Sequence, residues 1–304
     1  MSATSKPFDN ISDQKPSIKT TLAAYYELTK PKVVAMLLIT ALAGMHLATD
    51  QSIPLMTLIW ATLGLGLGMG GAAAINHLAD QHADAKMQRT HKRPLVVGSI
   101  PPKNAIIFAI SLCLGSVIIL EVFINRLTAM LTISGMVGYA LIYTLYLKRA
   151  TPQNIVIGGL SGAIPPLLGW TAITNEIHPY ALLLVLLIFV WTPPHFWALA
   201  IHRRDDYAKA GVPMLPVTHG IEFTKTQILL YTIILFLASL LPYLSGMSGW
   251  IYLTAAIASG LGFLYYAVKL KYFPTDGLAM KTFGYSILYL LILFPALLLD
   301  KYLV

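Results

Sequence analysis

The segment Asn76–Leu95 reads NHLADQHADAKMQRTHKRPL, and it overlaps the end of an uncharged apolar run, Pro54–Ala79. That run is long enough to cross a bilayer as a helix, which takes about 20 mostly apolar residues. Acidic and basic side chains therefore begin where a membrane span ends. Charged groups near hydrocarbon are costly and are usually retained for function.

The acidic half of this segment has a regular helical spacing. Asn76, Asp80 and Asp84 are four residues apart, so on a helix they share one face. Magnesium in proteins normally takes one or two carboxylates and completes its shell with water and substrate phosphates. All three residues are predicted metal ligands, and the two acids are also predicted to be catalytic. The neighbouring His77 and His82 are interpreted as interface histidines.

Four cations follow at once: Lys86, Arg89, Lys92 and Arg93. The two arginines are four residues apart and precede a proline, which stops a helix. They are expected on one helical face, where two guanidinium groups can grip a diphosphate. Both are predicted to be catalytic, and Asn76, Lys86, Arg89 and Arg93 are predicted diphosphate ligands. Contact with anionic lipid is the simpler explanation for Lys86 and Lys92.

The composition places these motifs in a polytopic membrane protein. The 304 residues are 57% hydrophobic and only 11% charged, whereas a soluble domain carries roughly a quarter charged residues. The chain has one cysteine, Cys113, which excludes a disulfide framework and a cysteine-based metal site. The apolar runs predict nine spans, near residues 33–49, 54–79, 104–122, 127–147, 153–173, 179–201, 226–245, 250–268 and 282–299.

The distribution of Lys and Arg predicts the orientation of these spans. If the N-terminus is cytoplasmic, all of the 21 Lys and Arg except Arg126 and Lys301 fall on the cytoplasmic side. The positive-inside rule favours that arrangement. The net charge of +8 is therefore explained by topology and does not indicate nucleic acid. We expect an all-α membrane protein with its helices around a central cavity and its C-terminus on the opposite face.

The chain is predicted to consist of a short N-terminal tail and one domain. Residues 1–21 are predicted to be a mobile cytoplasmic tail, followed by an interfacial segment near Leu22 to Lys30, with no signal peptide. Residues 22–304 are predicted to form one domain.

A second charged loop follows the sixth span, four spans after the first. Asp205 and Asp206 are predicted metal ligands opposite the first acidic stripe, and Lys209, one turn on, is a predicted diphosphate ligand. The alternative is that the two acids are solvated partners of Arg203 and Arg204.

His195 follows two consecutive prolines, Pro193 and Pro194, which are expected to break the sixth span and open a cavity wall. His195 is a predicted catalytic residue, as a ligand to a cofactor iron or as a general base. A satisfied core histidine remains the alternative. A second pair, Pro165 and Pro166, predicts a break in the fifth span.

These residues resemble the intramembrane prenyltransferases of the UbiA type, over Leu28 to Leu299. That family has an Asn-x-x-x-Asp-x-x-x-Asp motif and a second acidic motif four spans later. Segments that look like its heme-farnesylating branch are Leu28–Lys32, Met87–Leu95, Trp191–Leu199 and Asp205–Pro216. The second motif lacks the spaced Asp-x-x-x-Asp of the quinone prenyltransferases and has Tyr207 and Lys209 instead, which weakens the prediction of a second metal.

The resemblance implies a reaction of farnesyl diphosphate, heme B and water that gives heme O and diphosphate. It implies Mg²⁺ as cofactor, heme B as substrate, and a site that faces the cytoplasm at the bacterial inner membrane. Possible later partners are a heme A synthase or the assembly of a terminal oxidase. Two alternatives stay open: a prenyltransferase for a quinone precursor or another tetrapyrrole, and a polytopic transporter. The acids lie at one face of the membrane and not at its midplane, which argues against transport.

Overall fold

The computed structural model describes residues 17–303, which form fifteen α-helices, one π-helix and no strand. The first eight α-helices and the π-helix are α1 (Ile18–Leu28), α2 (Pro31–Leu47), α3 (Leu55–Asp84), α4 (Pro102–Phe123), α5 (Arg126–Val137), the π-helix (Gly138–Leu147), α6 (Lys148–Ala150), α7 (Asn154–Ala163) and α8 (Pro165–Thr174). The others are α9 (Pro179–His202), α10 (Arg204–Lys209), α11 (Leu215–Thr218), α12 (Ile221–Ala238), α13 (Leu241–Leu244), α14 (Trp250–Tyr272) and α15 (Leu278–Leu303).

Eight helical segments of the described chain are long and apolar enough to cross a membrane. A ninth arises if α1 and α2, which are bent by 50° relative to each other, count as one span. The predicted all-α membrane fold is thereby confirmed, and no predicted run extends more than two residues past the helix or helix pair with which it coincides. A turn at residues 245–249 separates α13, which ends at Leu244, from α14, which begins at Trp250.

Most of the predicted tail, residues 1–16, lies outside the described residues, and its last four residues belong to α1. The assignment of residues 22–304 to one domain and the orientation of the termini stay predictions.

The two proline pairs have different outcomes. The fifth span is broken at Ile164, between α7 and α8, as predicted. The predicted break in the sixth span is wrong, because α9 continues through Pro193 and Pro194 to His202. Two prolines remove only two donors from this 24-residue helix, and α7, α12 and α15 all pack along it.

Small residues bring the helices of the first half close together. A Cβ on Gly169 of α8 would lie 1.9 Å from the carbonyl oxygen of Ala41 in α2, so only glycine permits this crossing. The Ser116 hydroxyl of α4 donates to the carbonyl of Gly64 in α3 at 2.6 Å. The small residues of α3 between Gly64 and Ala74 therefore allow neighbouring helices to pack closely. This packing holds in place the helix that carries the acidic stripe.

Asp300, near the end of α15, holds the start of α14. Its buried carboxylate accepts from the backbone N–H groups of Gly249, Ile251 at 3.2 Å and Tyr252 at 3.0 Å. The first N–H groups of a helix have no partner within the helix. Asp300 thus supplies a cap from a distant element and joins the last two spans.

We expect Asp300→Ala to lower the free energy of unfolding by about 1–2 kcal/mol, because three backbone N–H groups at the start of α14 lose their acceptor. Thermal unfolding of the purified protein measures this. Asp50→Ala is the matched control, since Asp50 is fully exposed and only meets Lys301 at 3.2 Å. Equal melting temperatures for the two variants would refute the capping role.

Candidate active site

Helix α3 carries the acidic stripe on one face. It runs unbroken from Leu55 to Asp84, so the four-residue spacing places Asn76, Asp80 and Asp84 on successive turns. All three side chains are buried, at 2–3% exposure. The predicted shared face is therefore present, and it points into the protein.

Each member of the stripe meets a cation from a different part of the chain. Lys30, between α1 and α2, donates to the amide oxygen of Asn76. Lys148 contacts Asp80 at 2.6 Å, and Arg93 contacts Asp84. Buried charges are tolerated when they are paired. Three cations thus converge on one face of α3.

The π-helix supplies further polar groups to this face. Thr144 accepts from the Asn76 amide at 3.0 Å, and the Tyr139 hydroxyl lies 3.3 Å from the Lys30 ammonium. A π-helix has i→i+5 hydrogen bonds, so Tyr139 and Thr144 lie one turn apart on one side. Lys148 follows directly. The wider turn thus aligns three polar groups along the stripe.

Sequence reasoning missed most of this polar lining. The sequence predicts Lys148 only as a topological cation, and Lys30 only as a topological cation within a segment that resembles the family. Tyr139 and Thr144 carried no signal, since tyrosine and threonine are ordinary in an apolar span and a π-helix leaves no distinct periodicity.

The stripe has donors that suit a hard divalent cation. Oδ1 of Asp80 is buried and has no hydrogen-bond partner among the described residues, and buried acceptors are rarely left in that state. Two carboxylates and one amide oxygen form an oxygen set of the kind that Mg²⁺ takes. Within residues 17–303, no three His, Cys, Asp or Glu side chains come together as a metal site.

The second charged loop reaches this site through its backbone turn and not through its acids. Asp206 lies 3.6 Å from Arg203, while Asp205 and Lys209 are exposed. Residues 210–212 of the same loop line a cleft of about 250 Å³ together with Asp80 and Lys148. The two loops therefore meet, as predicted, but metal binding by Asp205 and Asp206 and phosphate binding by Lys209 stay predictions.

Tyr207, in α10 of the second loop, lies near Arg89 of the first loop. Burial raises its pKa, and the nearby Arg89 and Arg203 guanidinium groups oppose that shift. Both loops therefore contribute to the electrostatic surroundings of the phenol.

The two arginines of the first loop do not share a helical face. Helix α3 ends at Asp84, and the chain turns back where Thr90 donates to the Asp84 carbonyl at 2.9 Å. Arg93 returns to the stripe, whereas Arg89 and Lys86 are exposed. The expectation that Arg89 and Arg93 share one face of a helix was wrong. The Thr90 side chain bonds to the last turn of α3, and the helix ends there.

His195 is packed on both ring faces. Its ring centroid lies 4.1 Å from that of Trp191 and 4.5 Å from that of Phe283, and its Nδ1 meets the Ser286 hydroxyl at 2.6 Å. The imidazole is therefore held in one orientation against α15.

His77 is different. It is buried, yet neither ring nitrogen has a partner in the described part of the chain.

Comparisons with known proteins agree with this arrangement. A family model described as the UbiA prenyltransferase family matches residues 37–293. The chain belongs to the UbiA prenyltransferase family. Solved UbiA-type structures share the fold at low sequence identity. A digeranylgeranylglyceryl phosphate synthase has a TM-score of 0.79 at 19% identity, over 94% of this chain and all of that one.

A UbiA homologue from Archaeoglobus fulgidus, bound to DMAPP and Mg²⁺, has a TM-score of 0.63 at 18% identity, over 90% of this chain and 98% of that one. Sequence relatives within the UbiA family are much closer. A protoheme IX farnesyltransferase of Alcanivorax borkumensis is 64% identical, over 92% of this chain and 93% of its own. One of Colwellia psychrerythraea is 61% identical, over 92% and 91%.

Proposed function

We propose that this protein transfers a farnesyl group from farnesyl diphosphate to a vinyl carbon of heme B. The observation that carries the diphosphate half is the buried stripe of α3, with three cations against it and a free carboxylate oxygen on Asp80. The heme half is supported by the names of relatives that are 64% and 61% identical over nearly the whole chain.

The proposed reaction breaks the allylic C–O bond, the π bond of the vinyl group and one O–H bond of water, and it forms one C–C bond and one C–O bond. The allylic C–O bond of farnesyl diphosphate breaks, and diphosphate leaves with the electron pair. The heme vinyl group gives its electrons to the farnesyl carbon, and water adds to the resulting cation and loses a proton. The products are heme O and diphosphate, so no oxidant or reductant is needed.

Asp80 and Asp84, with the amide oxygen of Asn76, would hold Mg²⁺. The metal supplies charge stabilisation to the departing diphosphate when it is bound. Lys30, Lys148 and Arg93 would turn from the stripe to phosphate oxygens.

Cations fixed in a buried site act strongly on charge that develops there. Burial of the stripe also keeps bulk water from the farnesyl cation that forms when the C–O bond breaks. Lys86 and Arg89, which are exposed, would meet the diphosphate on arrival.

The location proposed for the site is the cytoplasmic end of the spans at the bacterial inner membrane. The stripe lies at the end of α3, beside loops that carry most of the Lys and Arg of the chain. A heme A synthase or terminal oxidase assembly would then receive the product.

The test supplies purified protein with farnesyl diphosphate, heme B and Mg²⁺ and measures both diphosphate release and product mass. We expect diphosphate and a heme product heavier by one farnesyl group and one hydroxyl group. A quinone precursor in place of heme tests the first alternative. Diphosphate release with neither acceptor modified would refute the transferase proposal. Uptake of the supplied substrates into vesicles, without diphosphate release or a modified acceptor, would favour a transporter.

His195 gives a sharper test of the heme half. We expect His195→Ala to lose heme O production, because an imidazole held by aromatic packing can bind iron or hold a proton. An iron ligand would shift the Soret band of bound heme when it is removed, and a base would not. Tyr243→Ala, at an aromatic pair with Trp250, is the packing control. Normal heme O yield from folded His195→Ala protein would leave His195 a core residue.

A further inference from the structure

A cleft of about 250 Å³ leads from the acidic stripe to the protein surface. Asp80 and Lys148 line it and are 3% and 13% exposed, whereas Lys86 and Arg149 line it and are exposed. The cleft lies where the end of α3 and the loop after it meet the short helix α6 and the turn after α10. It therefore joins the buried site to solvent.

The outer half of the cleft carries positive charge that is not neutralised. Lys148 is paired with Asp80, but no carboxylate of the described residues lies within 4.0 Å of Lys86 or Arg149. Arg149 donates to the carbonyl of Ala79 at 3.0 Å, which fixes the guanidinium at the rim. That bond uses one of its five N–H donors. Two cations thus flank one opening without an acid between them.

The third wall of the cleft is uncharged. Residues 210–212 form a turn in which Gly211 has φ +68° and Val212 donates to the carbonyl of Tyr207 at 3.0 Å. A left-handed φ favours glycine at this position. This wall limits the width of the opening and carries no charged side chain, so Lys86 and Arg149 are the Lys and Arg side chains of the rim, with His82 beside them.

We propose that this outer half of the cleft is a second anion position, which receives inorganic diphosphate from the Asp80 site and releases it to solvent. The inference rests on the proposed function, in which diphosphate is a product. A highly charged anion leaves a buried cationic site slowly unless positive potential continues along its route. Lys86 and Arg149 supply that continuation, with Lys148 as the link between the two positions.

The test compares bond cleavage with diphosphate release in a single turnover. The full-length protein in lipid nanodiscs is mixed with farnesyl diphosphate, heme B and Mg²⁺. Acid quenching measures cleavage, and a pyrophosphatase-coupled phosphate sensor measures free diphosphate. In Arg149→Glu and in Ala210→Phe, which narrows the mouth without a charge change, the delay between the two signals should lengthen at least about fivefold.

Lys92→Glu is the matched control. Lys92 is exposed on the same first loop but does not line the cleft, so its delay should equal that of the wild type. Unchanged delays in both Arg149→Glu and Ala210→Phe would overturn the inference, as would an equal lengthening in Lys92→Glu. Absence of any cleavage in the wild type would instead refute the proposed function.

Discussion

Replacing Asp80 or Asp84 by asparagine should lower the rate of farnesyl transfer at least about 100-fold, because each carboxylate is a proposed ligand for the ion that stabilises the leaving diphosphate. Asparagine keeps the size of the side chain and removes only the charge. The measurement is the initial rate of diphosphate release at several Mg²⁺ concentrations. Since Asp80 has a free buried oxygen, its variant should also lose the metal dependence of that rate.

The control for this pair is Glu222→Gln. Glu222 is an acid of the described chain that also pairs with lysines, Lys225 and Lys271, but its side chain is 69% exposed. Exposed ion pairs contribute little, so its rate should match the wild type. Circular dichroism and thermal unfolding establish that the two aspartate variants fold. Wild-type turnover in either folded variant at unchanged Mg²⁺ would remove that residue from the site.

The elements that the sequence predicts best are those set by one strong local rule. Apolar runs must be helical in a bilayer, because every backbone group there needs a partner within its own segment. The spans and the helical spacing of Asn76, Asp80 and Asp84 follow from that rule. The break at Ile164 follows as well, because Pro165 and Pro166 have no backbone N–H to donate to the turn before them, although Ile164 itself keeps helical angles of φ −69° and ψ −28°.

The remaining features depend on tertiary packing. Arg93 returns to Asp84 only because the loop after α3 folds back, and a four-residue spacing does not encode that turn. The continuity of α9 through Pro193 and Pro194 depends on three neighbouring helices. The π-helix is invisible to a period of 3.6 residues, so Tyr139 could not be assigned to the site.

The chemistry of the site is likewise predictable from the sequence only in part. An acidic stripe beside cations predicts a diphosphate site, since each residue type has a specific affinity for metal or phosphate. Heme recognition has no comparable local pattern. His195, the one residue proposed for it, is enclosed by Trp191 and Phe283, and such packing suits a core residue and a ligand equally.

Replacing Lys148 by methionine should have the second large effect. It should lower turnover and at the same time strengthen the binding of Mg²⁺. Lys148 is proposed to move from Asp80 to a phosphate oxygen, so its loss should lower turnover at least about 100-fold. The same lysine competes with the metal for Asp80, to which it is bound at 2.6 Å. Its removal should therefore tighten the apparent affinity for Mg²⁺, at least about threefold.

The two readouts separate a role in the site from a role in folding. A lysine that only stabilised the helix end would change neither the metal affinity nor the rate per folded molecule. Lys148→Arg keeps the charge and should restore part of the turnover, although a guanidinium has a different shape. Lys103→Met is the control at an exposed cation outside the site. Weaker Mg²⁺ binding in Lys148→Met would contradict the competition, because the lysine and the metal would then not share Asp80.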